Sequence, residues 1–281
     1  MNADSYYEQG AGHIFNQDYA AHGTFLADDR NYWYAVVSDG CSSSPDSDIG
    51  ARFLAKSFPE AARIALTGET SVSLRENIEH ILVEKMGQGM GFPLRPSAYD
   101  ATLVALVYDE FRDVLHSFAW GDGKILYIHR AEHNVLVDID YESNAPFYLS
   151  YRQDVGREIL YEETFGMEYA RVTKSFIESD RLEEYVEGRM FKQKFIHFTT
   201  PEARKYVKFA SVFTDGVGTF HKKDNASESI PLHNVYNQLT QYKNTHGEFV
   251  KRRMQKVKQF ATKEGWQHFD DIGVATISFG H

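Results

Sequence analysis

Five aspartates stand where the sequence predicts strand ends or tight turns: Asp18, Asp39, Asp122, Asp215 and Asp270. A rigid scaffold can hold such side chains around one point although they are far apart in the chain. Carboxylate oxygens suit hard divalent cations such as Mg²⁺ and Mn²⁺, and two such ions can share one aspartate while they activate water for attack on phosphorus. The aspartates therefore indicate a metal-dependent hydrolase of phosphate monoesters.

The order of the surrounding motifs is more informative than any single motif. An Asp-Gly pair alone is also ordinary turn chemistry, because Asp tolerates the turn and Gly supplies positive φ. Here five motifs follow one another: Asn16-Gln17-Asp18, Ser38-Asp39-Gly40, Gly121-Asp122-Gly123, Thr214-Asp215-Gly216-Val217 and Asp270-Asp271-Ile272-Gly273-Val274-Ala275. In order and approximate spacing they resemble the signatures of the protein phosphatase 2C family, over nearly the whole chain. The segments 10–13 (Gly-Ala-Gly-His) and 42–51 resemble the bacterial branch of that family.

The resemblance implies both a fold and an activity. The expected fold is α+β, a sandwich of two antiparallel β-sheets flanked by α-helices on both sides. The expected activity is that of a protein serine/threonine phosphatase, with two Mg²⁺ or Mn²⁺ ions at one end of the sandwich and a weak third ion nearby. A phosphorylated protein would be the substrate.

The resemblance also implies a role for each matching residue. Asp39 would bridge the two ions. Asp215 and Asp270 would complete the shell of one ion, and the Gly40 carbonyl would bind the other. Asp18 would hold a metal-bound water or a metal directly.

Several positions depart from the family pattern. His13 stands where many members have an arginine that grips the substrate phosphate, so phosphate binding would rely on a histidine that is charged near or below neutral pH. Cys41 stands where eukaryotic members have a histidine that can protonate the leaving group, and Gln17 replaces a metal-linked glutamate. Asp122 would line the third metal site, but Thr219 occupies the place of an aspartate that commonly supports it.

The chemistry requires strands that end beside these aspartates. Apolar and β-branched runs predict strands at 32–37, 102–108, 209–214 and 272–279. Residues 114–120 and 124–129 are predicted to form a hairpin that turns at Gly121-Asp122-Gly123. The helical period predicts helices at 49–67, with a break or kink at Pro59, at 71–86, packed on a sheet, and two more within 235–263, separated near Gly247.

The spacing of these elements bounds the domain organisation. Strands in the first half and at the end, with helices in blocks between them, favour an α+β domain with mainly antiparallel pairing. Residues 141–208 lack clear periodicity, so we expect an irregular insertion or flap within a single domain of residues 1–281. Substrate choice would lie in that flap.

Composition excludes several classes of function. The chain has 281 residues and a net charge of −10, which disfavours nucleic acid as a partner. The single cysteine, Cys41, allows neither an intramolecular disulfide nor a multi-cysteine zinc site and fits a reducing compartment, so a cytoplasmic location is expected. The sequence does not give the oligomeric state, and a monomer is the expectation. Residues 1–10 lack a signal-peptide pattern, and no apolar run reaches about 18 residues, so we expect neither export nor membrane insertion.

Two other functions are open to test. A cysteine-dependent phosphatase needs an arginine six residues after its thiolate, but position 47 is Ser47, so Cys41 does not meet that requirement. A catalytically silent module could use the same fold to recognise a partner without hydrolysis. The unusual His13 and Cys41 favour the silent module, whereas the complete set of aspartates argues against it. Metal-dependent turnover would separate the two.

Overall fold

A computed structural model describes residues 1–68, 72–89, 94–130, 134–141, 143–166, 170–178, 181–183, 189–190 and 195–280. The strands are β1 Asn2–Glu8, β2 Asp18–Ala27, β3 Arg30–Asp39, β4 Leu103–Asp109, β5 Val114–Trp120, β6 Gly123–His129, β7 Asn134–Tyr141, β8 Ala170–Glu178, β9 Arg181–Glu183, β10 Arg189–Met190, β11 Phe195–Pro201, β12 Val207–Phe213, β13 Phe220–Lys222, β14 Asn225–Ser229, β15 Trp266–His268 and β16 Ile272–Ser278. The helices are α1 Ser47–Thr67, α2 Leu74–Gly89, α3 Val155–Phe165, α4 Ala203–Tyr206, α5 Leu232–Leu239 and α6 Phe249–Glu264, and 3-10 turns lie at Pro96–Tyr99, Leu149–Gln153 and Asp215–Gly218.

Two antiparallel sheets form the centre of the molecule. The larger has the strand order β1-β16-β12-β6-β7-β8-β10, with β9 paired to β8, and the smaller has the order β11-β5-β4-β3-β2. The sheets contact each other through β1 with β2, β16 with β3, and β12 with β4. A third sheet has three strands in the order β14-β13-β15.

Helices cover the outer faces of the two sheets. On the smaller sheet, α1 packs against β2, β3 and β4, and α2 packs against α1. On the larger sheet, α6 packs against β1 and β16, with α5 beside it. The predicted α+β sandwich with helices on both sides is therefore confirmed.

Burial explains why these segments form strands and helices. All seven residues of β4 and of β16 are buried, which is the pattern of strands covered on both faces. Phe58 of α1 is fully buried and packs edge-on against Phe118 and Trp120 of β5, with ring centroids 6.1 and 6.2 Å away. Removing a ring of this kind would cost about 3–5 kcal/mol, so this contact fixes α1 on the sheet.

The predicted hairpin at Gly121-Asp122-Gly123 is wrong, although both of its strands form. β5 pairs with β4 and β11 in the smaller sheet, whereas β6 pairs with β7 and β12 in the larger sheet. The φ values of Gly121 and Gly123 are +88° and +141°, a backbone that favours glycine and lets the chain cross between the sheets. Asp122 therefore lies at a crossing between the two layers.

Two predictions about the helices also need correction. The chain was expected to break or kink at Pro59. It does not break, since α1 is continuous from Ser47 to Thr67 and its buried face, which includes Phe58 and Ala62, holds it against the sheet, and a kink at Pro59 stays a prediction. Helix α2 was expected to pack on a sheet, but its main contacts are with α1 and the turn Leu149–Gln153. The two helices around Gly247 are confirmed as α5 and α6.

The expectation of an irregular segment at 141–208 is wrong for much of its described part. Helix α3 lies there, β8 pairs with β7 along eight residues from Ala170 to Ile177, and β11 forms the edge of the smaller sheet. Mixed aromatic, acidic and basic residues hide the strand period, and the pairing comes from partners far away in the chain. Residues 142, 167–169, 179–180, 184–188 and 191–194 lie outside the described residues, and a flap stays a prediction. None of the described helices combines the length and apolar character that a membrane span requires.

Candidate active site

Two of the candidate aspartates face each other where β2 and β3 meet. Asp18 opens β2 and Asp39 closes β3, and the antiparallel register places them directly opposite each other. Burial, and then the negative charge of Asp18, raises the pKa of Asp39, so the two carboxyl groups lie close to each other. Asp18 Oδ2 also accepts a hydrogen bond from the Thr214 hydroxyl at 2.6 Å. Asp18 is buried and Asp39 is half-buried.

The other three candidates come from the larger sheet and from the crossing between the sheets. Asp215 lies two residues after β12, and Asp270 lies two residues before β16. Because Phe213 of β12 pairs with Val274 of β16, these two strand ends are neighbours. Asp122 lies between β5 and β6, so both layers contribute to the site.

Electrostatics shows that the five aspartates act on one another. Burial raises the pKa values of Asp18 and Asp39 well above the usual range and raises the pKa of Asp122 to about 7. The pKa of Asp270 is also raised, again first by burial. In all four cases repulsion from the Asp215 carboxylate adds to the shift. Such shifts mean that the fold holds negative charge at a cost that a cation would remove.

The donor set fits hard divalent cations by its chemistry, since carboxylate and carbonyl oxygens are their preferred ligands. Lys124 is the basic residue next to Asp122, but its ammonium pairs with Asp138 at 2.6 Å. Within the described ranges, no three Asp, Glu, His or Cys side chains are already arranged as a ligand set. The individual ligand roles therefore stay predictions that rest on the family resemblance and on the shared charge of the cluster.

The backbone at Gly40 is fixed on both sides. Its N–H donates to the Gln17 carbonyl at 3.2 Å, and it forms an antiparallel bridge with Ala101. A Cβ at Gly40 would lie 2.6 Å from the carbonyl oxygen of Ser47 at the start of α1, so the close approach of α1 requires glycine. The Thr102 N–H donates to the Asp39 carbonyl at 2.8 Å. The Asp39-Gly40 unit thus has a defined position.

His13 is engaged by two carboxylates. Its Nδ1 lies 2.9 Å from Asp271 Oδ2, and its Nε2 lies 3.2 Å from Asp270 Oδ1. Asp271 is buried and also accepts hydrogen bonds from the N–H groups of Gly10 at 2.7 Å and Gln17 at 2.6 Å. His13 can contact a phosphate only by giving up one of these partners, and its predicted role as phosphate ligand stays a prediction.

Thr219 joins the two segments that carry Asp215 and Asp270. Its hydroxyl donates to the Gly216 carbonyl at 2.8 Å and accepts from the Asp270 N–H at 3.0 Å. The turn is so close to the last strand that a Cβ at Gly216 would lie 1.7 Å from the Asp271 carbonyl oxygen. Thr219 therefore links the backbone segments that carry Asp215 and Asp270. It occupies the position where other family members commonly have an aspartate that supports a third ion.

Sequence reasoning missed the role of Tyr148. Its side chain is buried and lies beside Cys41. Burial raises the pKa of Tyr148, and the negative charges of Cys41, Asp122 and Asp39 raise it further, so the hydroxyl stays protonated within the aspartate cluster. For Cys41, burial alone would raise the pKa of the thiol, but hydrogen bonds, first from Ser43 and then from Tyr148, outweigh burial and lower it. No motif marks Tyr148 in the sequence, because it is far from Cys41 in the chain and only the tertiary fold brings the two residues together.

Asp271 and Thr214 were missed in a different way. Both belong to motifs that the sequence displays, but only as neighbours of the candidate ligands. Asp271 anchors the 10–17 loop, and the Thr214 hydroxyl orients Asp18 and accepts from the Gly273 N–H at 2.7 Å. Their position inside the motifs was the only indication in the sequence that they contribute to the site. Their hydrogen-bond partners are known only from the fold.

This fold and this aspartate cluster define a protein phosphatase 2C-like domain. A family model described as protein phosphatase 2C matches residues 9–261, which is most of the chain. The chain therefore belongs to the protein phosphatase 2C family. No curated protein sequence matches it.

Solved structures share the fold at low sequence identity. A bacterial serine phosphatase has 14% identity and a TM-score of 0.53, with 100% of this chain and 98% of that chain covered. The serine/threonine phosphatase Stp1 from Staphylococcus aureus has 14% identity and a TM-score of 0.52, with 100% and 96% covered. A C. elegans sex-determining protein has 13% identity and a TM-score of 0.57, with 99% and 64% covered. At such identities the likeness concerns the fold.

Proposed function

We propose that this chain is a metal-dependent phosphatase that removes phosphate from serine or threonine residues of proteins. The observation that carries the proposal is the cluster of five aspartates at the meeting point of the two sheets, where burial and the charge of Asp215 raise the pKa values of the other four. Membership of the protein phosphatase 2C family supports the choice of reaction. The names of the similar structures, a bacterial serine phosphatase and Stp1, support the choice of substrate.

In this proposal the chain's own groups hold two Mg²⁺ or Mn²⁺ ions at fixed places. Asp39 would be shared by both ions, Asp215 and Asp270 would bind one of them, and the Gly40 carbonyl would bind the other. Asp18 would act next to them, with its carboxylate oriented by the Thr214 hydroxyl at 2.6 Å. When bound, the ions would lower the pKa of water and neutralise phosphate charge.

Asp122 would line a third, weaker site. Its pKa of about 7 means that it is only partly ionised at neutral pH without a cation, which fits a weak site. The Tyr148 hydroxyl, protonated and next to Cys41, would offer a hydrogen bond on the side where other family members carry a histidine. The monomeric state and the cytoplasmic location remain predictions from the sequence.

The test is hydrolysis of p-nitrophenyl phosphate and of a phosphothreonine peptide with Mn²⁺, with Mg²⁺ and with a chelator. We expect metal-dependent turnover in the wild type and background rates in Asp39→Asn. The matched control is Asp224→Asn, which removes an exposed carboxylate from the β13–β14 connection, away from the aspartate cluster, and should leave turnover unchanged. Full turnover in Asp39→Asn would refute the proposal. Binding of Mn²⁺ without any turnover in the wild type would favour the catalytically silent module.

A further inference from the structure

Asp100 lies directly behind the loop that follows Asp39. It is buried, at 3% exposure, and its neighbour Ala101 forms the bridge with Gly40. The backbone carbonyl of Asp100 accepts a hydrogen bond from the Cys41 N–H at 2.9 Å, and its Oδ2 accepts one from the Ser44 hydroxyl at 2.8 Å. Asp100 therefore contacts the 40–44 loop through both its main chain and its side chain.

The same carboxylate is held from the opposite side by the segment 149–157. Ser150 Oγ donates to Asp100 Oδ1 at 2.5 Å, and Arg157 Nη2 lies 2.9 Å from Oδ1 and 2.7 Å from Oδ2. Oδ2 thus has a partner on each side, Ser44 and Arg157, whereas both partners of Oδ1 come from the segment 149–157. The segment 149–157 is connected to the 40–44 loop through this one buried carboxylate.

The direction of the Arg157 side chain is itself fixed. Arg157 lies in the first turn of α3, where the Asp154 side chain accepts hydrogen bonds from the N–H groups of Gly156 at 3.0 Å and Arg157 at 3.3 Å. The guanidinium carbon lies 4.6 Å from the centroid of the Tyr151 ring. The capped start of α3 and the contact with the Tyr151 ring therefore help to hold the guanidinium toward Asp100, in addition to the ion pair itself.

We propose that Asp100 and Arg157 are positioning residues that fix the 40–44 loop, and with it Asp39 and the Gly40 carbonyl, from the segment 149–157. The effect on ion binding and turnover rests on the proposed function, whereas the effect on the loop does not. Outer partners of metal ligands commonly change metal affinity by about 10- to 100-fold when they are removed. The brace formed by Asp100, Ser150 and Arg157 acts on the loop that contains Gly40 and follows Asp39, and Ser150 and Arg157 come from a part of the chain for which an irregular insertion was expected.

The test compares Arg157→Met with Arg152→Met. Arg152 belongs to the same segment, but its guanidinium pairs with Glu158 and Glu79 instead of Asp100, so it is a matched loss of one arginine. The first readout is hydrogen–deuterium exchange at the amides of Cys41 and Ser44, without metal. We expect faster exchange in Arg157→Met, partial recovery in Arg157→Lys, and no change in Arg152→Met.

The second readout is Mn²⁺ affinity by isothermal calorimetry, together with kcat and KM. We expect Arg157→Met to weaken Mn²⁺ binding by about 10-fold or more and to lower kcat, with little change in circular dichroism. If Arg157→Met does not fold, Ser44→Ala decides, because it removes one loop contact to Asp100 and leaves the ion pair intact. Ser42→Ala, also in this loop, is its control.

The outcomes separate this proposal from the proposed function. Faster loop exchange and weaker Mn²⁺ binding in a chain without phosphatase activity would retain the brace and refute the phosphatase. An active wild type whose folded Arg157→Met variant shows unchanged exchange and unchanged Mn²⁺ affinity would refute the brace and retain the phosphatase. For Ser44→Ala, exchange equal to that of Ser42→Ala would likewise refute the brace.

Discussion

Replacing Asp271 with asparagine should destabilise the metal-free protein, whereas the same change at the preceding residue, Asp270, should not. The Asp271 carboxylate is buried and accepts from the N–H groups of Gly10 and Gln17 and from His13, at 2.6 to 2.9 Å. In the variant one oxygen can keep Gly10, but the amide NH₂ then faces the Gln17 N–H. One charge-assisted hydrogen bond is lost and a buried donor is left without a partner, at a cost of about 2–3 kcal/mol.

Asp270 differs from Asp271, because the surroundings of its carboxylate disfavour the ionised form. Its side chain is 30% exposed, and burial together with repulsion from Asp215 raises its pKa. A raised pKa means that ionisation at neutral pH opposes folding, so a neutral amide of the same shape should leave the free energy of unfolding equal or slightly higher. We expect Asp270→Asn to stay within about 0.5 kcal/mol of the wild type or above it.

The assay is urea denaturation at pH 7 in the presence of a chelator, followed by circular dichroism. The same two variants are then compared in Mn²⁺ affinity, where the order should reverse: Asp270→Asn should lose affinity and Asp271→Asn should keep most of it. Unfolding of Asp271→Asn at the wild-type urea concentration, or equal destabilisation of Asp270→Asn and Asp271→Asn, would refute this prediction.

Three further predictions concern pH, metal and packing. Burial, with the nearby charges of His116 and Arg75, lowers the pKa of His197 to about 4, and burial lowers that of His116, which lies 3.2 Å away. The unfolded chain takes up these protons near pH 6.5, so the two histidines should not affect the free energy of unfolding above that pH. Toward pH 4 they should lower it by about 1–2 kcal/mol, after allowance for solvent screening. The urea midpoints at pH 7.5 and pH 5 should therefore differ less in His197→Phe than in the wild type, and an equal difference would contradict this prediction. Mn²⁺ at about 100 times its dissociation constant should raise the free energy of unfolding by about 2.7 kcal/mol, and an equal gain in Asp39→Asn would disprove the assigned ligand. Gly216→Ala should cost about 3 kcal/mol in a thermal or urea melt, because its Cβ would lie 1.7 Å from a carbonyl oxygen, and a wild-type melt would show that the turn can move.

The sequence was sufficient for the elements whose signal is local. Apolar runs correctly placed β3, β4, β12 and β16, and helical periods correctly placed α2, α5 and α6. The order of the aspartate motifs led to the family and so to the sandwich. The strands and helices depend on residues that are close in the chain. The sandwich was predicted from a motif order that the members of a family have in common.

The errors concern pairing between distant segments. A Gly-Asp-Gly turn between two strands is compatible with a hairpin or with a crossing, and only the partners β4, β7, β11 and β12 decide between them. The polar strand β1 has no clear alternation, and seven residue pairs with β16 hold it in place. In the same way Tyr148 and Asp100 reach the site through tertiary contacts, so local sequence could not identify them.

The chain crosses from one sheet to the other at Gly121 and Gly123, and both sheets contribute residues to the aspartate cluster. Asp18 and Asp39 belong to the smaller sheet, whereas Asp215 and Asp270 extend from strand ends of the larger one. Ions held by all four would cross-link the layers, so the sheets could not part until ligands were released. Mechanical pulling or proteolysis that requires the layers to separate would then meet a higher kinetic barrier in the metal-loaded protein than in the metal-free one.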